Sequence, residues 1–405
     1  MNHATVSGKP ACQAAARLLV WALCFPGSMA RINAEEPKPE IAGTVRAPGD
    51  LDAEIPAQPV DPQDVGVPLR LQVSRINPPD LVIDAPPGTS GFLKDDNLFV
   101  VRAKLSRVEV IAPGSGEVVR QVALGERLYS RLWMSRDRTR LLAHSAPRVK
   151  PELPTPLNSA LEVLDLEDWQ VVSKIAFSSR EGLTEHAISA DGATIAMAIK
   201  AGVVVTDVES GKQVGLLPLP VNRVDALAFS PDGDWLVVSN RNNLTFWKWK
   251  TEDEPRQVHV GRRIISLEFT PDSRFLIEGP DSRAEIEVRS LISLEVVNRL
   301  ATESGTRMTA RNLEVIDGGR ALVAGNAIQF DPRKLIVNQR IHFWDLTSGR
   351  MTRKLHLARH QVEAIAVSPS GRYLSASLRD RAESLLAIWD LTRPNAGDKD
   401  RTDEQ

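Results

Sequence analysis

The sequence predicts an all-β fold built from repeated antiparallel sheets, and three observations carry that prediction. Apolar and polar residues alternate with period two over short runs, as in "VDALAFSPDGDWLVVSNRNNLTFWKWK" (224–250), the pattern of a strand with distinct faces. Tight-turn residues such as Pro231-Asp232-Gly233 break those runs at regular places, which joins neighbouring runs as an antiparallel meander. The same unit then returns along the chain, and repetition at a fixed period outranks any single motif as a guide to architecture.

With the turn Asp as anchor, clear copies stand at Asp191, Asp232, Asp272, Asp317 and, with Ser in the Asp place, Ser370. Weaker copies stand at Asp96 and Asp137, and the successive spacings are 41, 54, 41, 40, 45 and 53 residues. A period of about 40 to 45 residues holding four strand-sized pieces is that of a β-propeller blade. The sequence therefore predicts a β-propeller of four-stranded antiparallel blades.

Third-strand segments line up across the units: "RVEVIAPGSGE", "LEVLDLEDWQ", "VVVTDVESGK", "LTFWKWKTED", "IEVRSLISLE", "IHFWDLTSGR" and "LAIWDLTRPN". Trp344-Asp345 and Trp389-Asp390 keep a full Trp-Asp pair at the strand end, while Asp165 and Asp207 keep the acid alone. In these features residues 90–392 resemble the WD-repeat family. The resemblance implies seven blades, closed by one blade built from both chain ends. The last unit stops after its third strand near Thr392, so "LRLQVSRI" (69–76) or "DLVID" (80–84) is expected to supply the fourth and leave no open sheet edge. The resemblance also implies a structural network in the last blade, formed by His360, Ser377, Asp380 and Trp389, although Asp380 to Trp389 is three residues longer than the family interval. A nucleophilic triad from the same residues is disfavoured, because no strained Gly-x-Ser-x-Gly turn accompanies them.

Composition narrows the function classes. The 405 residues are 42% hydrophobic and 25% charged, with a formal net charge of -2, so nothing global draws the chain to nucleic acid. Cys12 and Cys24 are its two cysteines, which removes disulfide frameworks and thiolate metal sites from the body of the protein. No His-Glu-x-x-His motif or Asp-rich calcium loop occurs, and no metal or cofactor is expected. "PGSGE" (113–117) lacks the Lys-Ser/Thr ending of a phosphate loop and reads as a hairpin turn.

Four segments follow from patterning. Residues 1–30 read as an export signal: Lys9 and Arg17, the apolar run "LLVWALCF" (18–25), and small residues for cleavage near Ala30 or Ala34. That run is too short to span a bilayer, so an exported protein with no transmembrane span is expected. Residues 31–67 form a Pro-rich spacer with little apolar surface to bury. The propeller occupies 68–394, and a polar tail 395–405 ends the chain.

In a WD-type blade, connections between blades and between second and third strands open on one face, here called upper. First-to-second and third-to-fourth turns open on the lower face. The long insertions, 146–159, 326–339 and more briefly 379–384, all fall on the upper face, and insertions gathered on one face mark a binding side. Nine to eleven residues before the anchors stand Arg127, Arg180, Arg223, Arg262, Arg263, Arg307 and Arg359, expected to ring the upper mouth of the central channel and favour an acidic partner. In "LTFWKWK" (244–250), Trp247 and Trp249 share one strand face and are expected to pack between blades. The prediction is a non-catalytic, monomeric protein-interaction scaffold. The alternatives are a propeller hydrolase or lyase at the channel mouth, marked by converging inward carboxylates or histidines, and a small-anion receptor using Arg223 and Arg263.

Overall fold

The computed structural model describes residues 79–393 apart from 86–88, 103–104, 126, 148–158, 178–182, 184, 220–223, 282–284, 301–305, 309, 311, 332–335, 358–359 and 381–382. The segments expected as export signal (1–30), spacer (31–67) and polar tail (395–405), and "LRLQVSRI", lie outside those residues.

The strands fall into seven antiparallel sheets around a common axis. The first strand, β1 (Leu81–Asp84), belongs to the last blade. Blade 1 is β2 (Ser90–Phe92), β3 (Leu98–Arg102), β4 (Arg107–Ile111) and β5 (Val118–Ala123). Blade 2 is β6 (Arg127–Met134), β7 (Arg140–Pro147), β8 (Ser159–Asp165) and β9 (Val171–Phe177). Blade 3 is β10 (Glu185–Ile188), β11 (Thr194–Ile199), β12 (Gly202–Asp207) and β13 (Gln213–Leu217). Blade 4 is β14 (Ala226–Phe229), β15 (Leu236–Asn240), β16 (Asn243–Trp247) and β17 (Arg256–His259). Blade 5 is β18 (Ile264–Phe269), β19 (Phe275–Pro280), β20 (Ile286–Ser290) and β21 (Val296–Leu300). Blade 6 holds β22 (Thr306–Met308), β23 (Leu313–Ile316), β24 (Ala321–Asp331), β25 (Ile336–Asp345) and β26 (Met351–His356). Blade 7 is β27 (Gln361–Val367), β28 (Tyr373–Asp380) and β29 (Glu383–Asp390), completed by β1.

Closure follows the expectation for "DLVID". Leu81 pairs with Ile388 and Asp84 with Leu385 across β1 and β29. The Asp390 amide donates to Asp80 Oδ2 at 2.6 Å, and Arg393 forms an ion pair with Asp80.

The core is a ring of seven interfaces between neighbouring blades. Strand residues alternate between the two sides: Leu236 and Val238 of β15 pack toward blade 3, while Val237 packs toward blade 5 with Phe246 and Phe269. A middle strand is thus buried on both faces and reads as a continuous apolar run. Trp247 and the partly buried Trp249 lie in the blade 3–4 interface, Trp344 in the 5–6 interface and Trp389 in the 6–7 interface. Each Asp of the Trp-Asp pairs sits in the following turn. Asp345 Oδ1 accepts from the Ser348 amide at 2.7 Å and its hydroxyl at 2.8 Å, and Asp390 Oδ1 accepts from the Thr392 hydroxyl at 2.6 Å. The Trp-Asp pair is therefore architecture: the indole fills an interface and the carboxylate caps a tight turn.

The upper-face insertion at 326–339 differs from a loop. β24 and β25 run on as a paired hairpin to Asp331↔Ile336, and β22 pairs with its upper half at Met308↔Ala327. The alternation in "NAIQF" and "LIVNQ" is strand pattern continuing beyond the blade. At 379–384 pairing likewise continues to Asp380↔Glu383.

Candidate functional site: the central channel and its mouths

The seven inner strands, β2, β6, β10, β14, β18, β23 and β27, enclose a channel of about 1170 Å³. Charged side chains enter it in two tiers.

The lower tier is a clasp thrown across the channel by the turn between β6 and β7. Arg136 Nη1 donates to Glu268 Oε1 at 3.2 Å and to the Phe269 carbonyl at 3.1 Å, both in blade 5. Arg138 donates to the Phe92 carbonyl of blade 1 and to the Val367 carbonyl of blade 7, the latter at 3.0 Å, and faces Glu314 of blade 6 at 4.0 Å. With the Asp137 amide donating to the Ala190 carbonyl of blade 3 at 2.9 Å, one short turn ties blade 2 to five others. Burial between the inner strands pushes the Glu268 carboxyl up to about 8, with Arg136 holding it back and Glu314 adding to the rise. Burial likewise raises Glu314 to about 7 against Arg138 and Arg136. About a third of each side chain faces the lumen, so channel water moderates the cost of charge.

A carboxyl whose folded pKa is raised holds its proton more tightly in the folded state. Its contribution to stability is present at low pH and is lost as pH rises from the unfolded value near 4.5 through about 7 and 8. Glu268→Gln with Glu314→Gln should accordingly remove about half of the fall in melting temperature between roughly pH 4.5 and pH 8. Thermal melts of parent and double variant across that range check the expectation; parallel curves would contradict it.

At the upper mouth, Arg263 is bracketed by two carboxylates from different blades. It contacts Asp225 Oδ1 through Nε at 2.9 Å and Nη2 at 2.7 Å, and Asp281 Oδ2 through Nη1 at 2.7 Å. The Asp225 hydrogen bond raises the Arg263 pKa further. Arg262 turns instead into blade 5, where Nη2 meets Glu287 at 2.5 Å and Glu278 at 3.4 Å, while buried Arg289 pairs with the fully buried Glu278. These two arginines are engaged by the protein's own carboxylates. Arg127 opens β6, and Arg307 lies on β22 opposite Ile328, on the edge of the blade-6 hairpin; their side chains, and Arg180, Arg223 and Arg359 entirely, lie outside the described residues.

In blade 7, His360 is buried with Nδ1 3.1 Å from the Leu357 carbonyl, while Nε2 has no hydrogen-bond partner among the described residues. Ser377 and Trp389 are buried nearby on β28 and β29. The Asp380 side chain lies outside the described residues, its backbone closing the β28–β29 ladder opposite Glu383. Among the described residues no group of three or more His, Cys, Asp or Glu could hold a metal ion, and no helix is long and apolar enough to cross a membrane.

Sequence reasoning missed two sets of residues. One is the hydroxyl two positions before four of the seven anchors: Ser135, Ser189 and Thr270 donate to Asp137, Asp191 and Asp272 at 2.6 Å, and Ser230 to Asp232 likewise. Each of these hydroxyls also accepts the amide five residues on, fixing the turn. The repeated Ser/Thr-x-Asp spelling was the available signal. The other set is the channel group of Arg131, Arg136, Arg138, Glu185, Glu268 and Glu314, which no local pattern brings together.

One stretch, residues 211–248, matches the WD40 family, described as WD domain, G-beta repeat; it runs from the start of β13 through β16. A chain in the crystal structure of the mitotic checkpoint complex has a similar fold, with a TM-score of 0.56 and 18% identity over 80% of this chain and 99% of that one. Likeness at that identity speaks for the fold alone. Hydrazine synthase of Kuenenia stuttgartiensis overlaps more loosely, with a TM-score of 0.43 and 21% identity over 50% of this chain and 56% of that one, and bears on nothing further. No curated protein matches the chain by sequence. With seven blades closed by pairing of the first strand with the last, the chain is a seven-bladed β-propeller, and one of its units matches the WD40 repeat.

Proposed function

We propose that this propeller is a non-catalytic protein-interaction scaffold that presents its upper face, and the blade-6 hairpin above all, to an acidic protein partner. The carrying observation is that hairpin: strands of 11 and 10 residues, with β22 paired along the upper part, where the corresponding strands of blade 4 have five each. A surface already held by strand pairing loses little conformational freedom on association. Charge supports the partner's class. The tip between β24 and β25 carries Arg333 and Lys334 in sequence, and the blade-2 insertion Arg148 and Lys150. These, rather than the internally paired Arg262 and Arg263, are the cations expected to meet an acidic surface.

A second reading, a hydrolase acting in the channel, rests on Glu268 and Glu314, whose raised pKa values of about 8 and 7 suit a general acid. Weighing against it, the arginine facing each carboxyl is itself anchored on backbone carbonyls, as expected of a structural tie. The test is to replace 326–339 by a short turn: partner capture from the native extract should be lost while the melting profile stays cooperative.

A further inference from the structure

Arg131 stands apart from every other residue of the channel. Among the described residues nine non-glycine positions have positive φ, and eight of them lie in turns; Arg131, at φ 49°, lies inside a strand. It is the extra residue of a bulge in β6, since Ser130 pairs with His144 and Leu132 with Ala143, leaving Arg131 opposite nothing. An arginine gains nothing intrinsically from the left-handed region, and bulges and strained backbone gather where a side chain must be re-aimed for function. Here the bulge places an exposed Arg131 in the channel wall.

That side chain is also unspent. Arg136 is held by Glu268, Arg138 by two carbonyls and Arg263 by Asp225 and Asp281, whereas Arg131 has no hydrogen-bond or ion-pair partner among the described residues. Its acidic neighbour Glu185 does not claim it: the Glu185 carboxyl accepts the His186 amide at 3.3 Å. Burial first, and Asp225 in addition, push the Glu185 carboxyl above its usual range despite the pull of Arg131. Beside them His186 is 6% exposed, packs edge-on to Trp133 with ring centroids 3.8 Å apart, and leaves Nε2 without a hydrogen-bond partner among the described residues. A guanidinium fork in the channel wall with no acceptor among the described residues, beside a carboxyl whose pKa is raised by burial, suits an anion. One fork matches one carboxylate. Asp225 and Glu185 nearby weigh against a dianion such as phosphate.

We propose that the upper part of the channel is a binding site for a small carboxylate gripped by Arg131. The carboxylate belongs either to a free acid or to a side chain of a peptide entering the mouth.

The test uses the full chain, with acetate and a capped Gly-Glu hexapeptide as probes, followed by calorimetry and by the arginine side-chain NMR signals. Arg131→Gly is the informative variant, because glycine takes a positive φ without strain and the variant should melt at or above the parent temperature. Saturable binding that weakens about tenfold or more in Arg131→Gly, and stays within about twofold in Arg320→Gln on the outer surface, is the expected result. Acetate and peptide of similar affinity would assign the site to a free acid; a peptide about tenfold tighter would assign it to an acidic side chain. No saturation by either probe below about 50 mM, or binding by Arg131→Gly within about twofold of the parent, would overturn the proposal.

Discussion

A chain lacking residues 1–85 is expected to lose cooperative folding near physiological temperature, while a chain starting at residue 79 keeps it. The shorter chain loses β1, the outer strand of blade 7. Leu81 and Ile83 then leave the blade 7–1 interface, where they pack with Phe92, Leu98 and Ile388, and Val82 leaves the 6–7 interface. Partial burial of three aliphatic side chains, together with Ala85, is worth about 3–6 kcal/mol, a large share of the 5–15 kcal/mol that typically separates folded from unfolded chains. The loss also uncovers the β29 edge from Leu385 to Ile388, a template for pairing with another chain. Differential scanning calorimetry with light scattering reads both effects. A synthetic peptide of residues 79–86 added in trans should restore part of the transition. An unchanged melt of the shorter chain would show that the ring does not depend on its closing strand.

Arg289→Met should be the most damaging conservative substitution in blade 5, costing about 3–5 kcal/mol. Glu278 is fully buried and Arg289 6% exposed at the side chain, and the pair is joined directly. Burial raises the Glu278 carboxyl, and Arg289 followed by Arg262 hold it down. Without Arg289, Glu278 keeps only the 3.4 Å contact to Arg262, whose shorter contact goes to Glu287. The carboxyl must then ionise poorly solvated or stay protonated. Replacing both partners, Glu278→Met with Arg289→Met, removes the uncompensated charge and should recover most of the loss. Urea titrations of the two single variants and the double variant give the coupling. A double variant as unstable as the sum of the singles would mean that the pair is not the source.

The features legible in the sequence were those written locally. The anchors Asp191, Asp232 and Asp272 stood out because a tight turn needs particular residues at particular offsets, and the Trp344 and Trp389 positions because an interface needs bulk at a fixed place on a strand. The closing strand was narrowed to "LRLQVSRI" or "DLVID" by the missing fourth strand of the last unit, and pairing with β29 selects the second. The blade-6 hairpin was misread as a loop because Asp331-Pro332 and the polar residues around it look like a long connection, although the alternation on either side continues. Arg263 looked free because its acceptors, Asp225 and Asp281, come from two different inter-strand connections. The clasp was invisible for the same reason at longer range: Arg136 meets Glu268 across 132 residues of chain. Arg131 carries no signal at all, because a bulge is a mismatch between two strands and not a property of either.

The most direct test of the account is partner capture by three forms of the full chain under gentle crosslinking: the parent, one with 326–339 replaced by a short turn, and one altered on the lower face by Asp234→Lys with Ser348→Lys. The account predicts that one and the same protein is captured by the parent and by the lower-face variant, and is lost with the hairpin, while all three melt cooperatively. Capture that survives hairpin removal and disappears with the lower-face changes would contradict it.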